Sequence, residues 1–558
     1  MNALKFSLVF LLGTASLLPA AALMPPGPRE VDAILTEGFP SAAGRIGALL
    51  RENYRPGTGS MPSNAGQPAF RAWYGLGMGC RLFAVDGAGL DPAFEKAVMA
   101  HSAFSPDFLP NLAREDDAAA VLKILQELWQ ADPARFWQYF RLAIALALVF
   151  DQPPPADWPH DQTNSAALPQ AAMPPAEAFA FWIESDKTGK LYADPKTLGV
   201  DQLKFMVDVF LPASELRWAQ KNARFPRANF GKAFSSITYD YSRTRTRQYD
   251  WPHESYSLEE IRKQGGICVD QAYFAAIAGK ANGLPTLFFS GQGTSGGHAW
   301  FGYLKGANRW ELDCGRYENQ NYAVGEALDP QTWQPINDAE LDYLSKPSQR
   351  GDAFRQSQID LGMARLYQEN QQPDKALAAV NSAIALAPEN VAAWKERTSL
   401  LNDPSAQKAH FEKALNQFPA NREVRVFFQK ELADWHRRQG DAATAEEWER
   451  KIISQNRSGR SDLSIAAAAG GLAALVEARK MDEAMKEYRS LLGRLGRKGG
   501  GNFYYEIVAP FTESLIKAGD SQGAGRALEL ARRTLQPDSG SILDQEFQTL
   551  ETRVKAVR

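Results

Sequence analysis

Three short stretches decide how this chain is read: Gly265-Gly266-Ile267-Cys268-Val269-Asp270-Gln271-Ala272, then Gly297-His298-Ala299-Trp300-Phe301-Gly302-Tyr303-Leu304, then Arg309-Trp310-Glu311-Leu312-Asp313-Cys314. In the first, a glycine pair leads into an Ala-rich run, Ala275-Ala276-Ile277-Ala278, that stops at Asn282-Gly283. This spacing predicts a helix with Cys268 at or near its N-terminus, where unpaired backbone N–H groups and the helix dipole favour thiolate over thiol. The second and third stretches flank the turn residues Lys305-Gly306-Ala307-Asn308 and read as two strands of a hairpin. A two-residue loop at Lys305-Gly306 sets His298 opposite Asp313, and a four-residue loop makes them diagonal neighbours on one face. A three-residue loop sends them to opposite faces, because strand side chains alternate. A carboxylate beside an imidazole fixes its tautomer and favours the imidazolium, which supports a nearby thiolate. Cys268, His298 and Asp313 are thus the candidate catalytic nucleophile, base and orienter.

The order Gly-Gly-x-Cys-x-Asp-x-Ala, Gly283-Leu284-Pro285 leading into Thr286-Leu287-Phe288-Phe289-Ser290-Gly291, His298-Ala299-Trp300 and Trp310-x-x-Asp313 resembles the core of the transglutaminase-like superfamily. The match is close from Ile261 to Gly315 and looser over the flanking residues. The resemblance implies a papain-like fold, in which a helix bearing the cysteine packs on an antiparallel sheet bearing the histidine and the acid. It also implies acyl chemistry through a thioester, with Cys268 as nucleophile, His298 as general base and acid, and Asp313 as the third member. Two departures stand out. The family's acid usually lies one residue further beyond the tryptophan and is often followed by proline, whereas here Cys314-Gly315 follows, so Glu311 and Asp329 remain alternatives. One half of an oxyanion hole falls to the Cys268 N–H; for the other, Tyr239, Tyr241, Trp251, Tyr256 and Gln264 stay open.

The 558 residues are too many for one hydrophobic core, since single cores stop growing near ~250–300 residues. Hydrophobic residues at 44% and charged residues at 23% are ordinary globular usage and exclude a disordered or fibrous chain. A formal charge of −3 without a basic block points to no nucleic-acid partner. Residues 1–22 carry one early charge at Lys5, an apolar run from Phe6 to Leu18 and the small-residue end Ala20-Ala21-Ala22, the layout of a secretory signal. The expected product is secreted or periplasmic, with no membrane span after signal removal. Residues 23–175 read as a helical N-terminal region closing in a proline-rich break, and residues 176–345 as the mixed catalytic domain. Residues 350–558 read as helical repeats. There Ala364, Tyr367, Ala376, Val380, Ala383 and Pro388 fall at the small, aromatic, small, bulky, small and proline positions of a 34-residue unit, and Trp394, Phe411, Ala414 and Pro419 mark the next. Weaker echoes follow at Ala433 and Ala445, at Leu472, Ala484 and Tyr488, and at Ala524 and Ala531. These resemble tetratricopeptide repeats, so the fold class expected is α+β multidomain with a C-terminal α-helical solenoid and room for a protein partner.

The remaining motifs are bystanders. Gly291-x-Gly293-x-x-Gly296 and Gly293-x-Ser295-x-Gly297 have dinucleotide and serine-hydrolase spacing, but a strand follows where both need a helix. Asp270, two residues after Cys268, is a helix-start or framework residue, because its side chain leaves the helix in another direction. Whether Cys80 and Cys314 are bridged stays open: an oxidising compartment permits the disulfide, which would leave Cys268 as the free thiol. The six histidines show no ligand spacing, so neither a metal nor another cofactor is expected. The leading functional expectation is an exported cysteine enzyme acting on amide bonds of protein or peptide substrates, with hydrolysis ahead of amine transfer. The alternative is a non-catalytic interaction protein that binds through its repeats.

Overall fold

The structure, a computed structural model, describes residues 23–556 apart from 59–60, 88, 102–106, 164, 294–295, 319–320, 350 and 458–459. The expected secretory signal, residues 1–22, lies outside the described residues, as do Thr294 and Ser295 of the glycine loop. The architecture is α+β: helices dominate, and one small antiparallel sheet carries most of the strands.

The N-terminal part is helical, with its longest helices at Phe39–Asn53, Pro68–Asp86 and Ala118–Ala131. Phe140–Phe150 is apolar nearly all round and buried from Leu142 to Val149, as expected of a helix at the centre of a core. The chain leaves helical geometry at Tyr139 (φ −122°, ψ 31°), between Pro133–Gln138 and Phe140–Phe150, and the tyrosine hydroxyl donates to Asp186 at 2.7 Å. The proline-rich segment that follows is pinned down rather than left as a linker. The Trp251 N–H donates to the Gln162 carbonyl (3.0 Å) and the Tyr256 N–H to that of Ala167 (2.7 Å), which brings this segment to the site region.

At the centre lies the helix Cys268–Ala281, buried at every residue from Val269 to Ala281. Around it, among the described residues, seven strands follow in order: β1 (Thr286–Gln292), β2 (Gly297–Gly306), β3 (Arg309–Cys314), β4 (Tyr317–Glu318), β5 (Asn321–Tyr322), β6 (Val324–Leu328) and β7 (Pro335–Ile336). Five of them form an antiparallel sheet in the order β3-β2-β1-β6-β7, and β4 and β5 pair separately. Ala299, the small residue after His298, packs with Ile267, Val269 and Ala272, so helix and sheet approach closely at the cysteine end. The far end of the helix is held by the buried Lys280, whose ammonium pairs with Asp208 at 2.5 Å and donates to the Thr286 carbonyl at 2.7 Å.

The β2–β3 hairpin departs from the expected register. Gly306 pairs with Arg309, so the turn falls at Ala307-Asn308, and irregularities between Phe301 and Tyr303 and between Leu304 and Gly306 shift the ladder. Asp313 consequently falls between the Phe301–Cys314 and Tyr303–Glu311 pairs rather than opposite His298.

From Asp352 onward the chain is helical, beginning with the helix pairs Asp352–Glu369/Pro373–Leu386, Val391–Leu400/Pro404–Gln417 and Arg422–Arg438/Ala442–Asn456. The small, aromatic and bulky positions Ala364, Tyr367, Ala376, Val380 and Ala383 are all buried, and sequence-adjacent helices pack on one another. The start of this stack is tied to the N-terminal helices through the buried Asp360, which accepts from Tyr54 Oη (2.8 Å) and Ser63 Oγ (2.6 Å). One apolar core runs from Val31 through the N-terminal and central helices to Ala393. The last helices return to the sheet: the Gly501 N–H lies 3.4 Å from the Gly293 carbonyl, and Gln545 Nε2 donates to Tyr249 Oη at 3.0 Å.

Candidate active site

Local chemistry explains why Cys268 begins the central helix. Gly265 closes the preceding helix, Leu258–Gln264, at φ +81°, a left-handed conformation that favours glycine. Gly266 then passes so close to Asp270 that a Cβ would stand 2.4 Å from the aspartate's own Cβ. Its backbone pairs with a neighbouring segment, receiving from Asp240 N–H and donating to the Thr238 carbonyl, both at 2.9 Å. Asp270 reaches back to accept from the Ile267 N–H at 2.8 Å, capping the helix at the residue before Cys268.

Asp270 is 1% exposed, and its charge is held by a network. Arg243 Nη1 donates to Asp270 Oδ2 at 2.6 Å, and Tyr256 Oη donates to Oδ1 at 2.9 Å. Because the tyrosine proton goes to the carboxylate, His160 Nε2, 2.7 Å from Tyr256 Oη, must be the donor to that oxygen. Burial is the largest influence on both ends. It pushes the Asp270 carboxyl above its ordinary range, against the pull of Arg243 and the hydrogen bonds, and lowers His160 to about 3, so the imidazole is neutral. The network is therefore a framework beneath the helix start.

His298 stands near the start of β2, and its cross-strand partner is Gly291, which has no side chain to crowd the imidazole. The ring stacks near Trp300, two residues on and fully buried, with centroids 6.2 Å apart. His298 Nε2 lies 2.7 Å from the Gly315 carbonyl oxygen. A carbonyl only accepts, so Nε2 carries the hydrogen and the lone pair of the neutral ring sits on Nδ1. Burial lowers the His298 pKa below the ordinary histidine value, and the Gly315 hydrogen bond opposes this in part.

Cys268 and His298 line one cleft of about 1570 Å³, together with Tyr239, Gln271, Gly315 and Arg316. Asp313 is not among the lining residues and, contrary to expectation, is not the hydrogen-bond partner of the imidazole Nε2. Its carboxylate pairs with Arg316 Nη1 at 3.0 Å, and the ring hydrogen bond it was expected to receive goes to the Gly315 main chain. The cause is the shifted hairpin register. The two alternatives do not replace it, since Glu311 pairs with Lys305 (3.0 Å) and Asp329 with Lys204 (2.5 Å).

The oxyanion candidates also separate. Tyr256 Oη is spent on Asp270, Trp251 Nε1 on the Ser255 carbonyl (2.9 Å), and Gln264 Nε2 on Glu260 (2.6 Å). Tyr239 and Tyr241 line the cleft, with ring centroids 4.8 Å apart, and Tyr239 packs in the same apolar cluster as Cys268. The Cys80–Cys314 bridge that the sequence left open is not formed. Cys80 is buried in the N-terminal helix Pro68–Asp86, whereas Cys314 Sγ faces Gly231, where a Cβ would meet it at 2.8 Å. Burial raises both thiols to about 12.

The cleft also takes residues that nothing in the local sequence pattern marks: Arg460, Asp462, Asn502, Tyr505 and Glu506 from the helical region, and Gly540–Ile542 near its end. Among the described residues no group of three or more His, Cys, Asp or Glu side chains could hold a metal ion, and no helix is long and apolar enough to cross a membrane. Comparison with family models, curated proteins and solved structures finds no match to this chain.

Proposed function

We propose that the protein is an exported cysteine enzyme of transglutaminase-like type that cleaves amide bonds of peptide or protein substrates through a thioester. The observation that carries this reading is the pairing of two features in one cleft: a cysteine at a buried helix N-terminus and an imidazole whose tautomer is fixed with its lone pair on Nδ1. His298 Nδ1 takes the Cys268 proton as Sγ bonds to the substrate carbonyl carbon. The developing oxyanion is held by the Cys268 N–H in the first turn of the helix, with Tyr239 or Tyr241 from the cleft wall as the second donor. The carbon–nitrogen bond then breaks, and the imidazolium returns its proton to the leaving amine. Water attacks the thioester with His298 again as base, the carbon–sulfur bond breaks, and acid and thiol are released. The Gly315 carbonyl does the orienting that a carboxylate would otherwise do. The helical region acts as tetratricopeptide-like repeats whose last helices wall the cleft.

A digest of a peptide library by the full chain tests this. Cleavage is expected with the natural chain and none with Cys268→Ala or His298→Ala. Undiminished cleavage by Cys268→Ala overturns it.

A further inference from the structure

We propose that the cleft is built for an extended peptide segment bearing cationic side chains, laid between the sheet and the C-terminal helices. The proposal rests on the amide-cleavage reading for where the segment is cut, but its recognition chemistry is independent of turnover.

The first support is charge. The cleft lining holds seven carboxylates against two arginines and no lysine. Both arginines are already engaged: Arg316 with Asp313 and Asp338, and Arg460 with Glu423 and Asp462. Among the described residues the lining carboxylates Asp157, Asp161, Glu326 and Glu506 have no ion pair, so the lining presents unpaired negative charge and no unpaired positive charge. These four come from different parts of the cleft: a proline-rich loop, strand β6 and the helical region. A cleft lined by one sign of charge focuses its field and concentrates ligands of the opposite sign.

The second support is independent of charge. Two amide oxygens in the lining, Gln162 Oε1 and Gln292 Oε1, are buried and have no hydrogen-bond partner. An amide oxygen can only accept, and a buried acceptor without a donor costs about 1–3 kcal/mol. Both side chains are half-buried at the cleft wall, and once turned toward the cleft their oxygens accept from a peptide N–H, an ammonium or a guanidinium, which a carboxylate cannot supply.

The third support is shape. Cys268 and His298 are both half-buried, and the C-terminal helices are fixed against the sheet loop and Tyr249, so a scissile bond must be carried down into the cleft. An extended segment does this and a flat folded surface does not.

Binding to full-length Cys268→Ala protein, read by fluorescence anisotropy, tests the proposal with two short fluorescein-labelled peptides that differ only in Lys against Glu at alternate positions. The Lys peptide is expected to bind about tenfold tighter or more at low salt, with the margin shrinking as salt rises. It should shrink again in a Glu326→Gln/Glu506→Gln background. Equal binding, tighter binding of the Glu peptide, or a preference untouched by the double substitution overturns it. A Lys preference in a chain whose unsubstituted form shows no Cys268-dependent cleavage sinks the enzyme reading and leaves this one standing.

Discussion

At the residue scale, the arrangement separates two carboxylates that the sequence puts close to Cys268 and His298. Asp270 is buried under the helix start in an ion pair with Arg243, whereas Asp313 is 41% exposed and shares Arg316 with Asp338. Asp313→Asn is therefore expected to change kcat/KM by no more than about fivefold, the reach of an exposed ion pair. Losing an orienting acid would instead cost about 10⁴-fold. Steady-state kinetics on any cleaved peptide decides between them. The pH profile gives a second check. His298 must be neutral to accept the thiol proton, and burial disfavours its charged form, so its folded pKa lies below the ordinary value. The acid limb of kcat/KM should accordingly have its midpoint below about 6.5, with activity lost as pH falls through it. A midpoint at or above that value contradicts the neutral, Nε2-protonated ring. Cys268 and His298 themselves were legible because glycines before a helix and alternation along a strand are local signals. The Gly315 carbonyl was not, since a main-chain acceptor leaves no trace in residue type.

At the element scale, the central helix was readable from Gly265 to Gly283 because its stop and start residues are written in the chain. The hairpin register was not. Irregularities at Phe301/Tyr303 and Leu304/Gly306 move Asp313 along the ladder, and an extra residue in one strand leaves no mark in the alternation of residue types. The helix start depends most on Gly266, where an added methyl collides with Asp270 and disturbs the cap on Ile267. Gly266→Ala is expected to lower stability by about 1–3 kcal/mol, measured as an earlier urea midpoint. An unchanged midpoint would mean that the close approach of Gly266 to Asp270 does not hold in solution. The α+β class and the helical C-terminal stretch followed from periodicity. The return of the last helices to the sheet did not, because contacts such as Gln545–Tyr249 join residues nearly 300 positions apart.

At the scale of the whole molecule, the three cysteines report on three different environments. Cys80 lies in the N-terminal core and Cys314 at the end of β3 against Gly231, both raised to about 12 by burial, whereas Cys268 lines the cleft beside the imidazole-bearing strand. The N-terminal helices, the sheet and the helical region all contribute to that one cleft or brace it, and of the three thiols Cys268 is the one in its lining. The most direct measurement is the rate of iodoacetamide alkylation of each cysteine in the folded full chain, followed by mass spectrometry across pH, for the unsubstituted protein and for His298→Ala. Cys268 alone is expected to react quickly at neutral pH, with the rate falling toward that of an ordinary thiol when His298 is replaced. A Cys268 that reacts no faster than Cys80 and Cys314, or that reacts identically without His298, would contradict a catalytic pair.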